Sequence, residues 1–475
     1  MNILYVASEA RPFAASGGLA DVAGSLPQAL CQGGADCRVV MPLYGSVSDH
    51  WRSQMTYLCN FSVPLGWRNQ YCGVFTCQRN GVTYYLLDNE YYFKREGALY
   101  GYYDDAERYA FFSKAVLEML VHIDFAPDIL HCNDWQSALV PVYLNAFYRP
   151  VERLANTRTV FTIHNIQYQG KYGMELMGDL LGLPESMAPV LEHDGCLNMM
   201  KAAMDQCDMI TTVSPTYAKE IMDPWYSFGL DSFLKHNGHK LTGILNGIDQ
   251  QAHDPATDPS LFAHFTAKTL DKGKAVCKAE LQKLMGLEVK PDRILIGLIA
   301  RLVSQKGLDL VQYILDDMMQ NDISLVVLGS GDAGYEDFFR EAQNRYPGRV
   351  AVRIGFLPDL AAKIYSGSDA FLMPSKTEPC GLAQMVALRY GTLPIVRETG
   401  GLKDSIRDMG GEDGNGFTFQ SYNAHDMQDA VLRCKALYDQ PKEWKKAVVQ
   451  AMVCDFSWNR SAGDYMAVYN RVLGL

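Results

Sequence analysis

Ile294-Leu-Ile-Gly-Leu-Ile-Ala-Arg-Leu-Val-Ser-Gln-Lys-Gly307 opens on an apolar run and closes on two cations and a glycine. The apolar part, Ile294–Ala300, predicts a strand. Arg301 and Lys306 follow at its carboxyl end, near the start of a helical pattern. In open α/β sheets ligands bind outside the carboxyl ends of strands, and two cations placed there suit a diphosphate. Arginine grips oxygens in bidentate fashion, while lysine acts as a movable point charge. On charge spacing alone, a solvated basic loop is the other reading.

The same alternation of short β-branched runs and longer helical patterns extends in both directions, which predicts an α/β fold with parallel sheets. Strands are expected at Ile3–Ala7, Arg38–Met41, Tyr84–Leu87, Ile129–His131, Thr159–Ile163 and Met209–Val213. A second set is expected at Ile294–Ile299, Leu325–Leu328, Val350–Ile354, Ala370–Met373, Leu393–Val396 and Phe417–Phe419. Each set is a Rossmann-like count by itself. With 475 residues, two such domains facing across a cleft account for the length better than one sheet, because single cores stop growing near ~250–300 residues. The turn-rich stretch Asn246–Pro259 marks the break. The expected domains are therefore residues 1–245 and 246–456. A terminal helix over 457–475 either ends the second domain or returns to the first.

Lys and Arg number 43 against 54 Asp and Glu, a formal net charge of −11. Such a chain lacks the broad positive field of a nucleic-acid binder, so a phosphate-bearing ligand must meet local cations and backbone amides. No apolar run reaches the ~18–20 residues of a membrane helix. Met1–Ala7 lacks a basic leader region and reads as a first strand, so nothing in it argues for secretion. The 12 cysteines form no Cys-x-x-Cys pair and read as small buried hydrophobes in a reducing cytoplasm. His236-Asn-Gly-His239 has no carboxylate or cysteine at ligand spacing, so neither a metal nor another cofactor is expected.

Further glycine-rich turns follow predicted strands. Ser16-Gly17-Gly18-Leu19 opens a helix at Ala20–Leu30, either as an anion-binding turn or as a tight strand-to-helix turn. Gly329-Ser-Gly-Asp-Ala-Gly334 is a full G-x-G-x-x-G. A nicotinamide enzyme would place an acidic residue about 20 positions on, after the next strand. Here Gly355-Phe356 stands there, which leaves a nucleotide-facing turn or a merely tight one. Glu378-Pro-Cys380-Gly381-Leu382 follows the strand Ala370–Met373, and His131–Gln136 and His164–Gly170 follow strands of the first domain. Tyr84–Tyr109 is rich in tyrosine, suited to half-buried packing or to stacking on sugar rings.

Taken in order, the segments Ser16–Val22, Asn133–Trp135, His164–Gly170, Thr212–Tyr217, Gly243–Asp249, Ala300–Leu302 with Gln305–Gly307, Pro374-Ser375 with Glu378–Leu382, and Thr399–Asp404 resemble bacterial members of the glycogen and starch synthase family over essentially the whole chain. The resemblance implies a GT-B fold with the terminal helix crossing back to the first domain. It also implies metal-independent, retaining transfer of glucose from ADP-glucose to the non-reducing-end 4-hydroxyl of an α-1,4-glucan. By position, Arg301 and Lys306 resemble the family's cations on the donor diphosphate. Ser16, Gly17, Gly18, Cys380, Gly381 and Leu382 resemble the backbone around that donor. Glu378 resembles the carboxylate beside the donor glucose. His164 resembles the histidine against the sugar, its main-chain carbonyl near the anomeric carbon. Asp134, Trp135, Asp21 and Asn246 resemble residues on the sugar and acceptor side, and Phe356 an aromatic against the base. No Asp-x-Asp is present, in keeping with transfer without a metal.

Two departures from the family pattern bear on the donor. Ala15 replaces the family's lysine before the glycine turn, and Val386 replaces a second glutamate of related enzymes. They leave open UDP-glucose as the preferred donor, or a catalytically weak glucan-binding homologue. A glucan phosphorylase would need a pyridoxal-phosphate site, for which the sequence carries no sign. Oligomeric state is not legible.

Overall fold

The computed structural model describes residues 1–475. The chain forms two compact units. Unit 1 comprises Met1–Val213, Ala218–Gly247 and Trp458–Leu475, and unit 2 comprises Ser214–Tyr217 and Ile248–Ser457.

The strands of unit 1 are β1 (Asn2–Val6), β2 (Asp36–Pro42), β3 (Thr56–Leu65), β4 (Arg68–Arg79), β5 (Val82–Asp88), β6 (Ile129–Asn133), β7 (Arg158–Ile163), β8 (Lys171–Tyr172), β9 (Glu192–His193), β10 (Cys196–Asn198), β11 (Met209–Thr212) and β12 (Leu241–Gly243). Its main sheet has the order β12-β11-β7-β6-β1-β2-β5-β4-β3. The strands from β12 to β5 run parallel, and β4 and β3 extend the edge as an antiparallel hairpin.

Every strand expected in this half is present. The hairpin β3–β4, the short β12 and the small sheet β8-β10-β9 were not expected. In β3, Phe61, Val63 and Leu65 are buried while Asn60, Ser62 and Pro64 are exposed. That is the period of a half-solvated antiparallel strand, not the continuous apolar run of a buried parallel one. A register shift between Tyr57 and Cys59 breaks the period further.

Unit 2 holds β13 (Ile294–Ile299), β14 (Ile323–Gly329), β15 (Val350–Ile354), β16 (Ala370–Met373), β17 (Leu393–Arg397) and β18 (Phe417–Phe419). They form one sheet, β15-β14-β13-β16-β17-β18, with every pairing parallel. Alternate residues feed cores on the two faces. Ile294, Ile296 and Leu298 join Leu325 and Val327 on one side, and Leu295 joins Val326 and Leu328 on the other. Burying each such side chain stabilises by about 1.5–3 kcal/mol, which is why the strand reads as unbroken apolar sequence.

The parallel strands of both sheets share one wiring. Counted from the first of each, the order is three-two-one-four-five-six, with β12 added as a seventh in unit 1, so the connection reverses direction between β1 and β6 in unit 1 and between β13 and β16 in unit 2. Carboxyl ends at such a switch point splay apart and leave a crevice for a ligand.

The helix Trp458–Leu473 packs within unit 1. Its Tyr469 hydroxyl lies 2.7 Å from His131 Nδ1, and its Ser461 hydroxyl donates to the Leu245 carbonyl at 2.6 Å. His131 is fully buried, and burial lowers its pKa to about 3, so it serves as a neutral structural link. The G-x-G-x-x-G turn also has a packing role. A Cβ at Gly329 would collide with the Ala300 carbonyl, and one at Gly331 with the Leu302 carbonyl. The glycines thus let the end of β14 lie against the extension of β13, where Leu302 N–H donates to Ser330 O at 2.9 Å. The Gly331 N–H is taken by Glu336 at 3.0 Å.

Of the tyrosine-rich segment, Tyr84, Tyr85, Tyr92 and Tyr109 are core, and Tyr91 and Tyr103 are exposed. All twelve cysteines are free thiols. No helix is long and apolar enough to cross a membrane.

Candidate active site

At the switch point of unit 2, a cavity of about 190 Å³ is lined by Ala300 and Arg301 beyond β13 and by Ser375, Glu378, Gly381 and Leu382 beyond β16, with Lys306 beside them. A short turn, Ser304–Lys306, ends at Gly307 with φ +69°. A Cβ at Gly307 would run into the Pro374 carbonyl, so glycine is what lets the two loops touch. They are further joined where Lys376 N–H donates to Gln305 O at 2.9 Å.

This contact sets Lys306 Nζ 3.0 and 2.7 Å from the two carboxylate oxygens of Glu378. The Ser375 hydroxyl donates to Glu378 Oε2 at 2.8 Å. The Lys306 side chain is 18% exposed and that of Glu378 9%, so each charge is compensated in a largely dry site. Arg301, by contrast, is exposed, and its guanidinium makes no hydrogen bond or ion pair within the chain. Cys380 is buried behind the cavity, and Val386 is buried in the helix Ala383–Arg389. Phe356 is 79% exposed beyond β15, so it is not a core residue.

At the switch point of unit 1, Asn133 Nδ2 donates to the Val6 carbonyl at 3.0 Å, tying β6 to β1. Asn133 Oδ1 accepts from the Tyr5 hydroxyl and from His164 Nε2, each at 2.9 Å. His164 therefore carries its proton on Nε2, and burial lowers its pKa to about 3, so the ring is neutral. Asp134 sits at φ +54°, a costly conformation for a residue with a Cβ. Its Oδ1 accepts from His164 N–H at 2.8 Å and from Asn165 N–H at 3.4 Å. Both peptides flanking His164 are thereby gripped by one carboxylate. Burial pushes the Asp134 pKa up to about 7; the two N–H donors oppose the rise and the charge of Glu9 adds to it.

Glu9 is the residue that sequence reasoning missed. It lies just beyond β1, is only 2% exposed, and accepts the Ser16 N–H. Burial raises its pKa, opposed by hydrogen bonds from the Ser16 hydroxyl and amide and from Gly17. Both Ser16 donors therefore point inward at Glu9, while the space beside Gly18 is open. The signal was positional: Glu9 follows the first strand by three residues, at what proves to be the switch point.

The remaining expected residues are scattered over unit 1. Asp21 pairs with Arg11 at 2.5 Å, with both side chains about half exposed at 40% and 48%. Trp135 is buried against Tyr109 and Tyr172, its ring over Gly170. Asn246 is buried with Oδ1 unpartnered. Ala15 and Ser16 line a cavity of about 390 Å³ with Ser46, Leu99 and Tyr100, and no lysine or arginine lines it. No three His, Cys, Asp or Glu side chains converge to hold a metal.

Two Rossmann-like units whose parallel strands share one core order, one with a cation–carboxylate cluster at its switch point, make a glycosyltransferase of the GT-B class. Residues 2–236 match the starch synthase catalytic domain family, and residues 285–450 match the glycosyl transferases group 1 family. The chain belongs to the glycogen and starch synthase family. The glycogen synthase of Exiguobacterium sibiricum is 48% identical, over 99% of each chain. That of Geobacillus stearothermophilus is 47% identical over 100% of this chain and 98% of its own. The solved catalytic domain of starch synthase IV from Arabidopsis thaliana, bound to ADP and acarbose, matches with a TM-score of 0.91 at 33% identity, covering 100% of this chain and 99% of that one.

Proposed function

We propose that the chain transfers glucose from ADP-glucose to the non-reducing-end 4-hydroxyl of an α-1,4-glucan, with retention of configuration and without a metal, in the cytoplasm. The observation that carries this reading is the uncommitted Arg301 beside the Lys306–Glu378 pair at the switch-point cavity. Transfer breaks the bond between the anomeric carbon and the phosphate oxygen, so negative charge gathers on the departing ADP and positive charge on the sugar. Arg301 offers the diphosphate a bidentate fork. Lys306 has three N–H donors and commits two to Glu378, which leaves the third for a phosphate oxygen. Such preorganised donors stabilise the leaving group without reorganising during the reaction.

On the sugar side, Asp134 holds both N–H groups flanking His164. A planar trans peptide directs the His164 carbonyl opposite to the Asn165 N–H, away from Asp134. That fixed dipole suits a cationic anomeric carbon. The acceptor hydroxyl attacks on the face the phosphate leaves, and its proton passes to the departing phosphate oxygen, so no enzyme nucleophile is required.

The reading is tested by incubating the protein with maltotetraose and either ADP-glucose or UDP-glucose, with EDTA present, and measuring nucleotide release. Faster release of ADP is expected. Release with neither donor contradicts the activity, and recovery only on adding Mg²⁺ or Mn²⁺ contradicts metal-free transfer.

Ala15→Lys is expected to lower the KM for ADP-glucose. The cavity beside Ala15 has room for the longer side chain and no cation of its own. A hydrogen bond to a charged group contributes about 1.5–3 kcal/mol, so the change should be about tenfold or more. Kinetics with both donors check this, and an unchanged or raised KM shows that the lost lysine is compensated.

Asp134 predicts a pH dependence. Ionised, it accepts both peptide N–H groups; protonated, it accepts more weakly. With its pKa pushed up to about 7, kcat/KM should fall as pH drops through that value, and Asp134→Asn should flatten this limb. Stability runs the other way. A folded-state pKa above the unfolded carboxylate value of about 3.9 favours the fold fully at low pH, and that contribution is lost as pH rises through about 7. Asp134→Asn should accordingly melt higher than the wild type above pH ~7. A wild-type acid limb that persists in the variant assigns the titration to another group.

A further inference from the structure

The turn Glu378–Leu382 carries the Glu378 carboxylate and borders the 190 Å³ cavity of unit 2. Each of its carbonyls from Glu378 to Gly381 has a donor within that unit. Gly401 N–H donates to Glu378 O at 3.2 Å and to Pro379 O at 3.1 Å, and the Ser214 hydroxyl donates to Pro379 O at 2.8 Å. Gln384 Nε2 donates to Cys380 O at 3.2 Å and to Gly381 O at 2.9 Å. One side chain therefore holds two consecutive peptides.

Gln384 is fully buried in the helix Ala383–Arg389 and stands outside the cavity lining. Its Nε2 also donates to the Ser405 hydroxyl oxygen at 3.0 Å, while Ser405 gives its own proton to the Gly401 carbonyl at 2.6 Å. Two amide hydrogens thus serve three acceptors. The orientation is fixed, because turning the amide over would set Oε1 against two carbonyl oxygens. Oε1 itself is buried without a partner. An unmade buried acceptor costs stability, and the gain set against it is the hold of the N–H₂ group on the turn. Gly381 completes the arrangement. Its φ is +70°, and a Cβ there would stand 2.6 Å from Gln384 Oε1, so a side chain at this position would displace the amide.

In a planar trans peptide the carbonyl and the following N–H point in opposite directions. With the carbonyls of Cys380 and Gly381 turned to Gln384, the N–H groups of Gly381 and Leu382 are directed away from it. Both residues line the cavity with Arg301 and Lys306, and neither N–H has a hydrogen-bond partner within the chain. We propose that Gln384 is a positioning residue for glucosyl transfer, holding these two peptides so that their N–H groups meet the donor diphosphate beside Arg301 and Lys306. The proposal rests on the glucan-transfer reading above. Donors fixed in advance stabilise the departing phosphate without reorganising, and a turn free to rotate loses that advantage. Gln384 acts through the backbone and touches neither donor nor acceptor.

The test compares the full chain as wild type, Gln384→Met and Ser405→Ala. Methionine matches glutamine in length but donates no hydrogen bond. Ser405→Ala leaves Gln384 in place and removes the acceptor that orients its amide. All measurements are made well below each melting temperature, so that a loss of stability alone does not register. Gln384→Met is expected to bind ADP about tenfold more weakly by calorimetry and to lose about 100-fold in kcat. Inhibition by adenosine, which has no phosphate, and the KM for maltotetraose should stay unchanged. Ser405→Ala should weaken ADP binding by about threefold. Wild-type ADP affinity and kcat in both variants, or equal weakening of ADP and adenosine, overturns the proposal. If Gln384→Met does not fold, unchanged ADP affinity in Ser405→Ala overturns it alone. A wild-type chain that binds ADP and extends maltotetraose, beside unaffected variants, loses only this proposal. One that does neither loses the glucan reading and the proposal together.

Discussion

Arg301→Ala is expected to lower kcat by about 10²–10³-fold with the melting temperature unchanged, the loss typical of deleting one preorganised donor to a transition-state oxyanion. Arg301 is exposed and makes no hydrogen bond or ion pair within the chain, so nothing in the folded structure depends on its guanidinium. Lys306→Ala should cost as much in rate but is a less isolated change. It strands Glu378, and some stability goes with it, less than the roughly 3–5 kcal/mol of breaking a fully buried pair because Lys306 retains some exposure. Steady-state kinetics beside thermal melts separate the two effects. Near-normal turnover in both variants would mean that the diphosphate lies elsewhere.

Glu378→Gln should lose at least about 100-fold in kcat, far more than its loss of stability would explain. The amide keeps the volume of the carboxylate and can still accept from Ser375, which now donates at 2.8 Å. It cannot accept from Lys306 on both atoms, because one of them becomes an N–H₂ facing an ammonium group. Lys306 is then uncompensated and free to move. The carboxylate that the family resemblance sets beside the donor glucose is lost at the same time. A variant that keeps most of its turnover, or one that melts in proportion to its lost rate, would make Glu378 a structural loop residue.

What could be read in advance follows physical lines. The parallel strands were legible because both faces are buried, and β13 reads as unbroken apolar sequence. The cations and the carboxylate at the switch point of unit 2 were legible because they stand directly after such strands. The roles assigned to them came from family resemblance and not from spacing, since on spacing alone Arg301 and Lys306 fit a solvated loop better.

Three features lay beyond a linear reading. Glu9 faces the glycine turn only after the chain has travelled from β1 to Ser16, and a lone buried carboxylate carries no periodic signal. The turn Gly329–Gly334 looks like a nucleotide fingerprint, yet its first two glycines make room for the carbonyls of Ala300 and Leu302. The hairpin β3–β4 is half-solvated and bulged, so its alternation is diluted by polar residues.

The most direct test of glucosyl transfer is an NMR spectrum of the product. Maltotetraose is incubated with the protein and ADP-glucose carrying ¹³C at the anomeric carbon. The label is expected in a new non-reducing-end glucose joined through an α-1,4 linkage. Label in a β-linked residue, in free glucose alone, or left entirely in ADP-glucose would contradict that transfer.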